Sequence, residues 1–129
     1  MIYVADTHAF LWHLAEDKRL GRAARAIFQS AEQGDAVIVL PAIAVAECLM
    51  VIEKKHLDLQ FAALLEKLRV GLNFTTLPLD LRVLSRAAQL AGLPELHDRI
   101  IVASADLLGA PLLTRDRAIS ASRYVQTIW

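Results

Sequence analysis

Short apolar runs alternate with amphipathic stretches along the whole chain, and this alternation predicts strands interleaved with helices. Ile2–Ala5 reads as a first strand, and Thr7–Ala15 as a helix capped by Asp6 or Thr7. Leu20, Ala24, Ile27, Phe28 and Ala31 recur at helical spacing until Gly34 stops them. Ala36–Leu40 is apolar at every position and reads as a second strand; Pro41 suits the first turn of a helix that runs to about Lys54. Phe61, Leu64, Leu65, Leu68 and Leu72 mark the next helix, with Gly71 near its end, and Asn73–Leu77 reads as a third strand. Asp80 then caps a helix whose expected core face is Leu81, Leu84, Ala88 and Ala91, broken by Gly92-Leu93-Pro94. A helix from about His97 to Leu108, a fourth strand at Pro111–Thr114 and a final strand at Tyr124–Trp129 complete the pattern.

Strands separated by helices imply an α/β domain with a parallel sheet covered on both faces. No linker, repeat or low-complexity tract interrupts it, so residues 1–129 are read as one domain. In such sheets ligands bind beyond the carboxyl ends of the strands, where strand order reverses. Asp6 and Asp116 each stand just past a strand's carboxyl end, and they converge at that switch point if the first and fourth strands are neighbours.

Composition narrows the function. The chain is 56% hydrophobic and 22% charged, enough to build a full core and too apolar for disorder. Its formal net charge of +0 speaks against a globally basic nucleic-acid binder and leaves a local basic patch open. Cys48 is the single cysteine, so no intramolecular disulfide forms; its apolar surroundings mark it as a small core residue in a chain suited to a reducing compartment. Asp6 breaks the N-terminal apolar run, and the longest uncharged apolar stretch, Ala36 to Ala46, falls well short of the roughly 20 residues a membrane span needs. A soluble, cytoplasmic protein is expected.

The candidate chemistry lies in Asp6, Glu47, Asp98 and Asp116, each of which interrupts or bounds an apolar segment. Carboxylates are rarely buried without a partner or a metal. Taken singly, Asp6 and Asp116 are equally explained as turn or helix caps, and Asp98 as an acid favoured by a helix N-terminus. Glu47 has no capping role: it sits within a helix, sharing a face with Ile43, Met50 and Val51. Four carboxylates brought together would repel one another and take up protons unless a divalent cation lay between them. An all-oxygen set favours Mg²⁺ or Mn²⁺ over zinc, and such ions activate water against phosphodiesters.

Around these acids, Thr7 and Thr114 are placed to orient a carboxylate, a bound water or a phosphate, or to close a local strand-end hydrogen bond. Arg99, Arg115 and Arg117 flank the acids and suit phosphate contacts, with pairing to a carboxylate or solvent exposure as the plainer alternative, favoured for Arg117. His8 and His97 read as polar loop histidines beside the site, and Glu53-Lys54-Lys55 as a solvated helix end. The first helix carries Phe10, Leu11, Trp12 and Leu14 around much of its circumference, which is either core or a surface for a partner.

The segments Val4-Ala5-Asp6-Thr7-His8, Ala44-Val45-Ala46-Glu47, Glu95-Leu96-His97-Asp98-Arg99-Ile100-Ile101-Val102-Ala103 and Leu112-Leu113-Thr114-Arg115-Asp116, in that order and with Ile128-Trp129 at the end, resemble a PIN-domain ribonuclease. The likeness is strongest to the toxin subunit of VapBC-type toxin–antitoxin pairs and covers essentially the whole chain. It implies a sheet of about five strands in the order 3-2-1-4-5. It further implies that Asp6, Glu47, Asp98 and Asp116 hold Mg²⁺ or Mn²⁺ and direct a water at an RNA phosphodiester. A homodimer and a cognate antitoxin whose tail covers the active site are implied as partners. Two departures stand out: Glu95 replaces the first acid of an Asp-Pro-Phe-Asp segment common in the family, which leaves its auxiliary role open, and Ala46 replaces a frequent Trp.

Two other classes fit the residues less well. A non-catalytic PIN domain that binds RNA or a protein would be expected to lack one or more of the acids, and all four are present. A phosphatase working through a phosphoaspartate on a similar sheet would want a second Asp two residues after Asp6, where His8 stands.

Overall fold

β1 (Ile2–Ala5) occupies the middle of a five-stranded, wholly parallel sheet in the computed structural model, which describes residues 1–129. The other strands are β2 (Val37–Pro41), β3 (Phe74–Leu77), β4 (Leu112–Leu113) and β5 (Thr127–Ile128), in the order β3-β2-β1-β4-β5. The helices are α1 (Thr7–Leu14), α2 (Arg22–Glu32), α3 (Ala42–Lys54), α4 (Phe61–Val70), α5 (Leu81–Ala88), α6 (Leu96–Leu108) and α7 (Arg117–Ser122). The chain winds outward from β1 to β3, then crosses back to pair β4 against the other side of β1. Right-handed crossovers place the helices of the outward path and those of the return path on opposite faces. Consecutive residues of one strand are accordingly buried, as at Ile38-Val39-Leu40 and Leu112-Leu113.

A single core of 33 buried apolar residues runs through both layers. Phe10 of α1 packs against Phe28 and Phe74, with ring centroids 6.4 and 6.2 Å away. In α6, the run Ile100 to Ala105 is buried all round, because the helix is wedged against β1, β2, α3 and α5. That immobile helix fixes where its first turn, with Asp98, projects. No helix is long and apolar enough to cross a membrane.

The sheet order and parallel sense match expectation, and four local features differ. Pro41 ends β2 instead of opening α3: lacking an N–H, it suits a strand terminus, and it takes the N-cap position of α3. The final strands are shorter than predicted, two residues each. α5 turns the other way round: Val83, Ala87 and Leu90 are buried, while Leu81 is 82% exposed and Leu84 39%. Both sets recur at helical spacing, so periodicity alone does not choose between them. α7 is an additional helix not anticipated from the sequence. The apolar circumference of α1 is core, with Ala9, Phe10, Leu11 and Trp12 all buried.

Near the end of the chain, the Trp129 ring lies against Gly21, the residue preceding α2. A Cβ at Gly21 would stand 2.5 Å from the Trp129 backbone carbon and from its ring. Gly21→Ala is therefore expected to displace Trp129 and cost about 1–3 kcal/mol, as overpacking does. Urea denaturation checks this; an unchanged midpoint would mean the Trp129 contact contributes nothing.

Candidate active site

Asp6 stands where β1 ends and caps α1: its Oδ1 accepts from the Ala9 N–H at 2.9 Å. Its second oxygen, Oδ2, accepts from the Thr114 hydroxyl, which reaches across from the end of β4. That contact exists because β4 pairs directly with β1, with Ala5 opposite Leu113. The Thr114 hydroxyl oxygen also accepts from the Asp116 N–H at 3.0 Å, and Asp116 caps α7 by accepting from Ile119 N–H at 2.9 Å. Thr114 is 1% exposed, so the group linking the two acids is shielded from water.

Glu47 enters from α3. Its helix buries Ala44, Cys48 and Ile52, while Ile43 and Val51 are only partly buried and Met50 is exposed. Glu47 therefore lies at the margin of the buried stripe, not within the stripe that the sequence pattern suggested. Its Oε1 accepts from the Thr7 hydroxyl at 3.1 Å, and its Oε2 lies 3.3 Å from His97 Nδ1. Asp98 projects from the first turn of α6 and accepts no hydrogen bond from the chain. The four acids line one small cavity of about 180 Å³ together with Thr7, His8, Ile101 and Ile119.

The electrostatics record this crowding. Burial pushes the Asp98 carboxyl up to about 6, helped by the charges of Asp116, Glu47, Glu95 and Asp6. Burial also raises Asp6, and Asp116 adds to the rise; the hydrogen bonds from Thr114 and Ala9 and the charge of His8 oppose it. Cys48, buried behind Glu47 and Asp6, has its thiol pushed up to about 12, mainly by burial. Despite the shared cavity, no three His, Cys, Asp or Glu side chains converge closely enough to cage an ion. The donor chemistry nevertheless fits a hard cation: four carboxylates, no thiolate, and repulsion that positive charge would relieve. Mg²⁺ needs no closed cage, because it usually keeps several waters and binds one or two carboxylates directly.

The structure separates the auxiliary candidates. Thr7 and Thr114 each donate to a carboxylate of the cavity. Glu95 is exposed at the N-cap of α6, outside the cavity lining but near enough to raise Asp98. Arg99 turns away, its Nε donating to the Leu93 carbonyl at 2.5 Å. Arg117 is exposed and unpaired. Arg115 lies over Trp12, its guanidinium 4.5 Å from the ring centroid. A second cavity of about 380 Å³ opens beside the acids and shares Asp6, His8 and Asp116 with them. It is also bordered by Trp12, Arg19, Lys55, Arg115 and Trp129, residues from α1, the following loop, the end of α3 and the chain terminus. The sequence singles out Arg115 for a phosphate contact but not the groove around it, because the other members are far apart along the chain, Trp12 is open between core and a partner surface, and Lys55 reads as solvated.

Comparison with protein families matches the PIN domain over residues 3–123. Among solved structures, the chain is similar to a toxin–antitoxin complex from Klebsiella pneumoniae (20% identity, 98% of this chain and 96% of that one, TM-score 0.69). It is also similar to VapBC2 from Rickettsia felis bound to a DNA fragment from its promoter (14% identity, 99% and 98%, TM-score 0.72). A third is VapC20 from Mycobacterium tuberculosis, a sarcin-ricin loop cleaving toxin (16% identity, 98% of each chain, TM-score 0.72). These identities are low, so the likeness speaks for the fold. A search among curated protein sequences found no match.

A charged Asp98 that the fold disfavours has a measurable signature. Its folded value of about 6 lies above the ordinary 3.8, so its ionisation weakens the fold above about pH 6, and that penalty fades as pH falls towards 4. In metal-free buffer, Asp98→Asn is expected to melt a few degrees above the parent at pH 8, with the gap closing near pH 4. A constant gap across that range would show that ionisation of the buried Asp98 carboxyl is not its cause.

Proposed function

This chain belongs to the PIN domain family, and from that premise we propose that it is a metal-dependent endoribonuclease, the toxin of a toxin–antitoxin pair. The observation that carries the reading is the convergence of Asp6, Glu47, Asp98 and Asp116 on one cavity, from four separate segments, at the carboxyl ends of β1 and β4. Two of these acids cap helices, yet capping engages only one oxygen of each. The remaining lone pairs and the whole of Asp98 are free to serve a ligand. In this reading Asp6, Glu47, Asp98 and Asp116 are the residues that would hold Mg²⁺ or Mn²⁺. When bound there, such an ion would supply an activated water and offset charge developing on the phosphodiester.

The chain's own groups then divide the work. Thr114 holds Asp6 and the Asp116 backbone in register, so two carboxylates on different elements keep a fixed relation. Thr7 donates to one oxygen of Glu47, and His97 Nδ1 lies 3.3 Å from the other. Asp98 is held by no donor, and it is the acid freest to adjust when a cation and substrate enter. Buried Ile101 and Ile119 supply the apolar part of the cavity lining.

Partners follow from what the fold leaves uncovered. A largely apolar groove of about 660 Å³ lies between α3, α4 and β3, lined by Ala42, Val45, Ala62, Leu65 and Leu68 with the ion-paired Glu66 and Arg69. The outer face of α5 adds exposed Leu81 and Leu84. Two such patches on a small domain fit an antitoxin and a second copy of this chain; two of the similar structures are a toxin–antitoxin complex and a VapBC pair.

The purified chain is expected to cleave RNA when Mg²⁺ or Mn²⁺ is present and to stop when EDTA is added. Asp6→Asn and Asp98→Asn should lose the activity while remaining folded by circular dichroism. Retained cleavage in either folded variant would sink the assignment. RNA binding without cleavage by the parent would favour a non-catalytic PIN domain instead. Thr114→Val, which keeps all four carboxylates but removes the hydroxyl that orients Asp6, should lower activity or metal affinity about 10–100-fold. Full activity in that variant would show that the hydroxyl is only a packing feature.

A further inference from the structure

The acid cavity has an electrostatic difficulty: four carboxylates repel the polyanion they are to cut. The groove beside it holds the countermeasure. Arg115 sits between Thr114 and Asp116, whose backbones are pinned by the Asp116 N–H to Thr114 hydroxyl bond and by the cap of α7. Its guanidinium stacks over Trp12 yet makes no ion pair and no hydrogen bond within the chain. Stacking fixes a guanidinium without consuming its N–H donors, so the fork is held in place with its donors open. Trp12 is itself braced, edge-on against Trp129 at 5.8 Å and beside His8 at 5.4 Å.

The neighbouring cations divide into occupied and free. Arg19 also lies over Trp12, at 4.7 Å, but its Nε and Nη2 are committed to Asp17 at 3.1 and 2.8 Å. Lys55, at the end of α3, borders the same groove and has no acidic partner. Arg115 and Lys55 are therefore the groove's cations without an ion pair, although Asp17, which also lines the groove, is held down in part by the charge of Arg115. Because the groove and the acid cavity share Asp6, His8 and Asp116, a strand lying through the acid cavity would also pass the groove.

We propose that this groove is a phosphate subsite: Arg115, stacked on Trp12 and assisted by Lys55, binds the RNA phosphodiester next to the one being cleaved. This rests on the ribonuclease reading and adds a positioning residue outside the acid set. Trp12 is 7% exposed and already covered by guanidinium groups, so the contact is with backbone phosphate and not with a stacked base.

The test uses a fluorescein-labelled, mixed-sequence single-stranded RNA. Its affinity is measured by anisotropy across a KCl series at fixed Mg²⁺, in the full chain carrying Asp98→Asn. Adding Arg115→Ala is expected to weaken binding about tenfold and to reduce the salt slope by about one, the mark of one lost phosphate contact. Adding Arg117→Ala, which lies outside the groove, should leave the slope unchanged. In the otherwise unaltered protein, Arg115→Ala should raise KM with little change in kcat. An unchanged slope with Arg115→Ala, an equal loss with Arg117→Ala, or no binding of the RNA would overturn the subsite. Failure of the ribonuclease reading shows differently, as absence of metal-dependent cleavage by the parent, and the anisotropy slope decides the subsite either way.

Discussion

The direct pairing of β4 with β1 is the constraint on which the site depends. Ala5 lies opposite Leu113, so the residues that follow each strand, Asp6 and Thr114, meet although 108 residues separate them along the chain. Parallel pairing makes both strands end at the same edge of the sheet. The reversal of strand order at β1 leaves that edge open between crossovers on opposite faces. One hydroxyl, on Thr114, then serves Asp6 with its proton and Asp116 N–H with its oxygen. Without the β1–β4 register there is neither a linked acid pair nor a cavity for Glu47 and Asp98 to enter.

The same arrangement works against the fold when no cation is present. Burial and neighbouring charges together raise Asp98, and burial chiefly raises Asp6. Such crowding is hard to explain as a structural device, because an apolar or amide side chain would serve the fold better at Asp98. Perturbed carboxylates gathered in a cleft mark functional sites on physical grounds. The fold tolerates them because its rigidity comes from elsewhere: the fully buried middle of α6 and the aromatic packing of Phe10, Phe28 and Phe74. A polar network on α1, α2 and α4, with His13 stacked on Phe28 and joined through Glu32 to Lys67, ties those helices together.

Much of this was legible in the sequence because acids that interrupt apolar runs are visible without knowing the fold. Asp6, Asp98 and Asp116 stood at segment edges, and Glu47 stood out inside a helix with no cap to explain it. The strand order needed more than pattern: alternation indicates a parallel sheet, and family resemblance supplied 3-2-1-4-5. α5 was misoriented because Leu81-Leu84-Ala88-Ala91 and Val83-Ala87-Leu90 have equally helical periods. What decides between them is which set packs on α6, a contact that local pattern does not encode. α7 escaped notice because six residues, Arg-Ala-Ile-Ser-Ala-Ser, bury a single side chain, Ile119, and so leave no stripe to detect. The groove around Trp12 was invisible for a different reason: its residues gather only once β4 and the chain terminus fold back beside α1.

Binding of a divalent cation among the acids is the central claim, and anomalous scattering from crystals soaked in Mn²⁺ at near-neutral pH tests it most directly. The expected result is a peak bordered by Asp6, Glu47, Asp98 and Asp116, with at least one carboxylate oxygen about 2.0–2.2 Å from the ion and waters completing its shell. A saturated crystal with no peak in that cavity, or with manganese bound only elsewhere, would contradict it.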